Sequence, residues 1–435
     1  MYNNIRNYKQ YVPVLAVMVI VGLLGIGFMY SSQAATVSEA TEAERGTWEL
    51  GASKVTDSTA SGSAAIKFGA GAGAALTGAK GIMSMGPPVS GHAYVDYTTT
   101  GLDMKWSDLE LSDQQFSGTA WSRIDSQVAN AAVKSLRLRI YSGGRAPDFV
   151  KQGSGPAVSG SSTDTDYDPA TGQNVTKSIY IDCSVFGGIA VMNPYDTNVV
   201  IDKYSTGCIP YFWTDYYLGQ YQQLMNEVKR RYGSNVKLSE VVVSSCSTIY
   251  AEPFYRAHKD LSSNTRLYDA GLTYNTDLYC HEQSMTIHNT TFPNKLSSLA
   301  INPWEIMDPT KDIGMRRDWK PTYDFAQKWR ATMGTRLVLQ NNGWGETEGC
   351  PSGELPTTNV YCYLKSVAQP KGYQSETWPR LADTGMTSLN GWYSALERAI
   401  ADGACFIEST DNNYKNADPA VAAAYDAQLE ANCSK

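Results

Sequence analysis

Three glutamates stand where carboxyl groups could be brought together to do chemistry. Glu252, Glu376 and Glu408 each end or closely follow a short segment whose residues favour a β-strand. Two carboxyl groups in one site can divide the work of a substitution reaction. The protonated group gives its proton to the leaving group, and the ionised group attacks the reacting atom or stabilises its positive charge. These glutamates are therefore the candidate catalytic residues.

Side chains suited to substrate binding stand at similar positions. Tryptophan faces can stack on sugar rings or pack in a core, and asparagine or glutamine amides can bind hydroxyl groups or fix turns. Arg139 lies at the end of another β-rich segment, where it could keep a carboxylate ionised or form a structural ion pair. The candidate binding residues are Arg139, Asn302, Trp304, Asn341, Trp344, Gln374 and Trp378.

The segments that carry these residues alternate with helical patterns from Gly91 onward. Tyr217, Tyr221, Leu224 and Val228, for example, recur at the spacing of an amphipathic helix. Eight such strands favour an α/β fold, the (β/α)8 or TIM barrel, whose active site lies at the carboxyl ends of the strands. A doubly wound open sheet is the alternative, but no Gly-rich phosphate loop follows any strand. The predicted strands are Ala93–Tyr97, Leu102–Trp106, Leu136–Tyr141, Val241–Tyr250, Leu299–Asn302, Leu337–Asn341, Gly372–Ser375 and Cys405–Glu408.

With its strands in this order, the sequence resembles the superfamily of retaining glycoside hydrolases built on this barrel, of the membrane-tethered bacterial cell-surface type. Met104–Glu110 looks like the second strand of that superfamily, and Leu136–Pro147 looks like the third strand with its loop. Ala251-Glu252-Pro253 is similar to the Asn-Glu-Pro sequence that carries the acid/base at the end of strand four. Glu376 stands where the superfamily has its nucleophile, at the end of strand seven. The resemblance covers roughly residues 91–430 and depends on the order of these motifs.

The resemblance implies that the protein cleaves O-glycosidic bonds of a poly- or oligosaccharide with retention. Glu252 would be the acid/base and Glu376 the nucleophile, with Glu408 as the alternative nucleophile. Retention requires two carboxyl groups about 5–5.5 Å apart around an oxocarbenium-like transition state. Arg139 would then keep the nucleophile ionised.

One position departs from the pattern of the superfamily. Ala251 stands where the superfamily usually has an Asn that contacts the sugar 2-hydroxyl, so another group such as Asn302 or Asn341 would have to make that contact. The departure favours a second hypothesis, a non-catalytic carbohydrate-binding cell-surface protein on a degenerate barrel. A third hypothesis is a passive scaffold or adhesin, which would leave the acids and tryptophans at the strand ends without a role.

Residues 12–29 predict a membrane segment. Val12–Met29 contains no charged residue and follows Arg6 and Lys9, so the N-terminus is expected inside and the rest of the chain outside the cytoplasm. The segment is about long enough to span a slightly thinned bilayer. Removal as a signal peptide near Ala34 is also compatible with the sequence. We therefore expect a single-pass cell-surface protein, or a secreted one if it is cleaved.

Residues 35–90 are rich in Gly, Ala, Ser and Thr, which predicts a flexible stalk. Within this range, Trp48–Phe68 looks like the opening strands of a carbohydrate-binding module that is too short to close a sandwich. The predicted organisation is an anchor or signal peptide at 1–34, the stalk at 35–90 and the barrel at 91–435.

The eight cysteines of an exported chain predict disulfides. Cys183 with Cys208, and Cys350 with Cys362, each bracket a plausible loop, although the spacing leaves the connectivity open. The cysteine and histidine spacings do not suit zinc, and we expect no metal and no cofactor. The net charge of −7 gives little support to nucleic-acid binding. The polar insertion Lys151–Tyr211 predicts a solvated loop, and the sequence indicates no oligomeric state.

Overall fold

A computed structural model describes two compact units, Met1–Ala75 and Leu76–Lys435. In the first unit, Ala52–Thr56 pairs antiparallel with Ala64–Phe68. The described residues are 52–56, 64–68, 78, 80–85, 94–97, 104–116, 118–168, 173–192, 207–248, 250–256, 261–307, 315–345, 348–375, 389–409, 413 and 416–434. The predicted membrane segment at 12–29 lies outside them. Among the described residues, no helix combines the length and the apolar character that crossing a bilayer requires.

Parallel strands in the second unit close into a barrel, so the fold is α/β and TIM-barrel-like, as predicted. The carboxyl ends of all the strands meet at one rim, because every neighbouring pair is parallel. The barrel strands are β1 Gly81–Met85, β2 Tyr94–Tyr97, β3 Ser135–Leu138, β4 Leu238–Val242, β5 Leu296–Ala300, β6 Leu337–Trp344, β7 Lys371–Ser375 and β8 Phe406–Ser409.

The first two barrel strands differ from the prediction. β1 lies inside the range predicted as a stalk, so the barrel begins before residue 91. Its Ile82 and Met83 are buried. In the sequence this short apolar segment stands among small residues that are typical of linkers, so it was not predicted as a strand. Leu102–Trp106 was predicted as a strand. In the structure, Lys105 forms only an isolated bridge with Tyr141, and Trp106 begins a short helix.

Helices alternate with the barrel strands and cover them. Trp121, Tyr221 and Leu224 pack with Leu136 and Leu138 in one large apolar cluster between helices and strands. A second cluster covers the other side of the barrel. The described helices of four or more residues are Trp106–Leu109, Gly118–Ala129, Asp148–Ser154, Asp215–Tyr232, Leu261–Asp269, Tyr274–Thr291, Trp319–Met333, Val360–Ser366, Leu389–Ala401 and Pro419–Asn432.

The long insertion after β3 contains ordered structure that the prediction of a solvated loop misses. Gly160–Asp168 and Gln173–Ile181 form an antiparallel hairpin of nine residue pairs. Polar side chains dominate both strands. In the sequence alone this composition is typical of loops, because the pairing between the two strands cannot be seen there. Three further strand pairs decorate the barrel: Glu110–Ser112 with Gln115–Phe116, Ile189–Val191 with Gly207–Ile209, and Trp304–Met307 with Met315–Asp318.

Four disulfides join all eight cysteines. The two loops expected from the spacing are closed as predicted, by Cys183–Cys208 and Cys350–Cys362. Cys246–Cys280 and Cys405–Cys433 add links that the sequence does not define. Four disulfides are consistent with an extracellular location.

Candidate active site

Polar side chains from several barrel strands converge at the rim formed by the carboxyl ends. Arg139 directly follows β3, and Asn302 follows β5 by two residues. Asn341 and Gln374 lie near the carboxyl ends of β6 and β7. Glu408 lies near the end of β8. The structure therefore brings together five residues that the sequence predicts as candidate site residues, as expected from the geometry of a parallel barrel.

Glu252 lies in the loop Cys246–Arg256 that follows β4. The described part of β4 ends at Val242, eight residues earlier than the predicted strand, so Glu252 belongs to a loop and not to a strand end. Its side chain is half-buried, and Oε1 accepts a hydrogen bond from Nδ2 of Asn302 at 3.1 Å. Because Asn302 follows β5, this bond places the carboxyl group at the rim.

Several groups act on the protonation of Glu252. Burial is the largest influence and raises the pKa of this carboxyl, and the nearby charge of Glu305 acts in the same direction. Hydrogen bonds from Asn302 and Asn342 and the positive charge of Arg139 lower it, but the net effect is a raised pKa. A raised pKa is what a general acid needs in order to keep its proton near neutral pH.

Asn302 is held in place by two neighbours. Its Oδ1 accepts a hydrogen bond from Nδ2 of Asn341 at 2.7 Å, and its main-chain oxygen accepts one from Thr322. Asn341 is itself fully occupied, because it also donates to the main-chain oxygen of Ile301 and accepts from the amide of Gly343. Asn302 therefore adjoins the candidate acid, whereas Asn341 positions Asn302.

Glu408 is fully buried and bound by two arginines. Nη2 of Arg139 donates to Oε1 at 2.8 Å and to Oε2 at 2.7 Å, and Nη1 of Arg137 also donates to Oε1. Nη1 of Arg139 donates to Oε1 of Gln374 at 3.0 Å. Arg139 was expected to keep the nucleophile ionised, and the described carboxylate that it binds is Glu408. The opposite charges of Glu408 and the two arginines offset the cost of burying each of them.

The polar network continues below the rim into the barrel interior, through Arg137, Glu240 and Gln340, which were not predicted as site residues. Nε of Arg137 donates to Glu240 at 2.8 Å, and Nη1 donates to Gln340. Nε2 of Gln340 donates to Asn342 at 2.6 Å. A chain of hydrogen bonds therefore runs from Glu408 through Arg137 and Gln340 to Asn342, whose amide lowers the pKa of Glu252. The spacing of Arg137 and Arg139 could have indicated this network, because alternate residues of a strand face the same side.

Two predicted tryptophans lie in the core, not on an open surface. Trp304 is fully buried, its indole nitrogen donates to Asp277 at 2.9 Å, and its ring packs against Phe254. Trp344 is also fully buried and stacks on Tyr373, with ring centroids 3.8 Å apart. Neither ring has a face open to a sugar, which corrects the prediction that they bind substrate. Large aromatic rings near strand ends serve packing as readily as binding.

Glu376 and Trp378 lie outside the described residues. β7 ends at Ser375, so Glu376 is the next residue of the chain after a barrel strand. Among the described residues, no group of three or more His, Cys, Asp or Glu side chains could hold a metal ion.

The described site combines one half-buried carboxyl group that tends to keep its proton with one buried carboxylate bound by arginines. The first can donate a proton to a substrate atom at the rim. The second contributes a fixed negative charge and holds Arg139 beneath the rim. An amide, Asn302, lies next to the proton donor, where it can bind a hydroxyl group of the same substrate.

No protein-family model matches the chain, and no curated protein matches its sequence. Solved structures of endo-glycoceramidase II from Rhodococcus sp. are similar to part of the chain. The complex with a cellobiose-like imidazole has 11% identity and a TM-score of 0.33, and covers 70% of this chain and 62% of its own. The complexes with a five-membered iminocyclitol and with a cellobiose-like isofagomine have TM-scores of 0.30 and 0.26, also at 11% identity. The chain spans less than two thirds of the length of these proteins.

Proposed function

We propose that the protein is an extracellular glycoside hydrolase that cleaves a poly- or oligosaccharide. The observation that carries this proposal is the environment of Glu252, a half-buried carboxyl group with a raised pKa at the carboxyl rim of the barrel. Cleavage of a glycosidic bond requires a carboxylic acid that protonates the leaving oxygen. Glu252 is the general acid/base in this proposal, and Asn302 binds a sugar hydroxyl beside it.

In the same proposal Glu376 is the nucleophile of a retaining mechanism. Glu408 is a poor nucleophile because it is fully buried and because Arg139 and Arg137 bind its oxygens. Glu376 directly follows β7, a strand that ends at the rim. We assign Glu408 the role of holding Arg139 in place. Export through residues 12–29, with retention at the cell surface or release by cleavage near Ala34, completes the proposal.

A non-catalytic carbohydrate-binding protein is the second candidate. The burial of Glu408 favours it, because this leaves Glu252 as the one described acid of the three candidates that a substrate can reach. The two candidates differ in whether a glycan is shortened or only retained.

The test is to incubate the purified protein with a panel of polysaccharides and oligosaccharides and to measure both new reducing ends and retention of the intact glycan. The proposal expects new reducing ends from at least one glycan, with loss of this activity in Glu252→Gln and Glu376→Gln but retained binding. Binding without new reducing ends would favour the second candidate. A hydrolase whose activity survives both substitutions would contradict the assignment of the two acids.

A further inference from the structure

Arg256 closes the loop that carries Glu252. Its guanidinium Nη1 donates to the main-chain oxygens of Cys246 at 2.8 Å and of Pro253 at 2.6 Å. Its own main-chain oxygen accepts a hydrogen bond from Thr248 at 2.7 Å. The fully buried side chain of Arg256 therefore bonds the start of the loop, the residue after Glu252 and the helix Tyr274–Thr291.

Asp277 fixes this guanidinium from the helix Tyr274–Thr291. Nη2 of Arg256 donates to both carboxylate oxygens of Asp277, at 2.6 and 2.5 Å. Burial raises the pKa of Asp277, but Arg256, His281 and the hydrogen bond from Trp304 outweigh it and lower the pKa to about 2. Asp277 is therefore ionised at neutral pH, where it pairs with Arg256.

Two further contacts join the loop to the same face of that helix. Cys280 forms a disulfide with Cys246 at the start of the loop. His281 stacks on Phe254, two residues after Glu252, with ring centroids 4.5 Å apart. Asp277, Cys280 and His281 are spaced i, i+3 and i+4, so they lie on one side of the helix.

Glu305 supports the loop from the other side. Its Oε2 accepts a hydrogen bond from the main-chain N–H of Arg256 at 2.6 Å, and its own N–H donates to the oxygen of Phe254 at 3.0 Å. Arg317 pairs with the other carboxylate oxygen of Glu305. The ends of the loop and the residues next to Glu252 are therefore held, while the Glu252 side chain is only half-buried.

We infer that Arg256, fixed by Asp277, is a positioning residue that holds the Glu252 carboxyl group at the rim for proton transfer. The inference rests on the proposed function for its consequence in catalysis, but the positioning itself is independent of it. Proton transfer requires heavy-atom distances of about 2.6–3.2 Å, and a misplacement of about 1 Å can cost about 100-fold in rate. Arg256 is fully buried, and its described hydrogen-bond partners are Asp277, Glu305, Thr248 and main-chain oxygens of the loop. We therefore expect its loss to lower kcat more than substrate affinity.

The experiment compares Arg256→Lys and Asp277→Asn with a matched control, Arg330→Lys. Arg330 also donates to main-chain oxygens, those of Leu337, Ala368 and Gln369, far from the rim at the start of β6 and β7. Lysine keeps the charge but cannot reproduce the planar set of donors. Thermal unfolding first establishes that each variant is folded. If Arg256→Lys or Asp277→Asn does not fold, the double variant Cys246→Ser/Cys280→Ser replaces it. The double variant Cys405→Ser/Cys433→Ser is then the control.

The first readout is the titration of the Glu252 carboxyl by carbon-13 NMR, which does not require any activity. The charged and polar groups that act on this carboxyl are Arg139, Glu305, Asn302 and Asn342. When the loop is released, Glu252 becomes better solvated, so its pKa should fall toward the ordinary value. We expect this fall in Arg256→Lys and Asp277→Asn but not in Arg330→Lys. Unchanged titration of Glu252 in both Arg256→Lys and Asp277→Asn would overturn the inference.

The second readout is the pH dependence of kcat on a glycan that the wild type cleaves. We expect kcat to fall about 10- to 100-fold with KM changed less than about 2-fold, and the basic limb of the profile to move to lower pH. If Arg330→Lys loses as much kcat as Arg256→Lys, and if the basic limb of the pH profile does not move, Arg256 only stabilises the fold. A wild type that cleaves no glycan would contradict the proposed function, whereas the NMR titration would still decide the positioning.

Discussion

Nδ2 of Asn302 donates a hydrogen bond to Oε1 of Glu252 across the rim of the barrel, at 3.1 Å. The two residues are fifty positions apart in the chain and belong to the connections that follow β4 and β5. The side-chain amide of Asn302 is oriented toward Glu252 because its Oδ1 accepts a hydrogen bond from Nδ2 of Asn341. The contact therefore sets both the orientation and the protonation of the candidate acid.

Asn302→Ala should raise the pKa of Glu252 still further. The hydrogen bond from Asn302 stabilises the ionised carboxylate, so its removal favours the protonated form. We expect the basic limb of the kcat profile to move to higher pH, and kcat/KM to fall about 10- to 100-fold as the contact to a sugar hydroxyl is lost. Asn226→Ala, on the outer helix Asp215–Tyr232, is the control. A basic limb that stays in place would show that Asn302 does not act on Glu252.

Glu408→Gln should destabilise the fold strongly. The substitution removes the buried carboxylate that pairs with both Arg137 and Arg139. Breaking a buried ion pair costs about 3–5 kcal/mol, which urea unfolding measures directly. The control is Asp324→Asn, which removes the exposed pair with Lys320 and should change the free energy of unfolding by about 0–1 kcal/mol. Equal effects of the two substitutions would contradict a structural role of Glu408.

His288 should make the fold less stable as the pH falls below 6.5. Burial lowers the pKa of this histidine to about 3, from an ordinary 6.5, while Nε2 stays bonded to the hydroxyl of Tyr221. Between pH 6.5 and 3 the unfolded chain binds a proton that the folded chain does not, so stability is lost as the pH falls through this window. From pH 7 to pH 5 the loss from this residue is about 2 kcal/mol.

The measurement compares the pH dependence of unfolding by urea in wild type and in His288→Gln. Other titrating groups are common to both proteins, and their contribution cancels in the difference. The variant should be less stable at pH 7 but should lose about 2 kcal/mol less between pH 7 and pH 5. Identical slopes would mean that His288 titrates normally in the folded protein.

Trp304→Phe should weaken the fold without changing substrate affinity. The substitution removes the hydrogen bond to the buried carboxylate of Asp277 and should cost about 1–3 kcal/mol. Because the ring has no exposed face, KM should stay within about 2-fold of the wild-type value. A large rise in KM with little loss of stability would restore the prediction that this ring binds a sugar.

The alternation of short strands with helices was enough to predict the barrel and the order of most strands. The start of the barrel could not be predicted, because Gly81–Met85 lies in a region whose small residues are typical of linkers. The hairpin Gly160–Asp168 with Gln173–Ile181 was missed for a related reason. Its strands are polar, and only their pairing, which is a tertiary property, makes them strands.

The candidate site was predictable only in part. Residues at strand ends must meet at one rim in a parallel barrel, and Arg139, Asn302 and Gln374 lie there. Their roles in binding stay a prediction. The partners of these residues depend on side-chain packing across the barrel, so the sequence predicted that Arg139 binds a candidate nucleophile but left Glu376 and Glu408 open as its partner. The support of the Glu252 loop by Arg256 and Asp277 was equally hidden, because an arginine and an aspartate on different elements give no pattern.

The most direct test of the central claim is the leaving-group dependence of Glu252→Gln. A general acid matters when the leaving oxygen is a poor leaving group, and it matters little when that group departs without a proton. We expect kcat/KM to fall about 100- to 10,000-fold on an alkyl glycoside or natural glycan, but much less on the dinitrophenyl glycoside of the same sugar. An equal loss on both substrates, or full activity on both, would contradict the assignment of Glu252 as the proton donor.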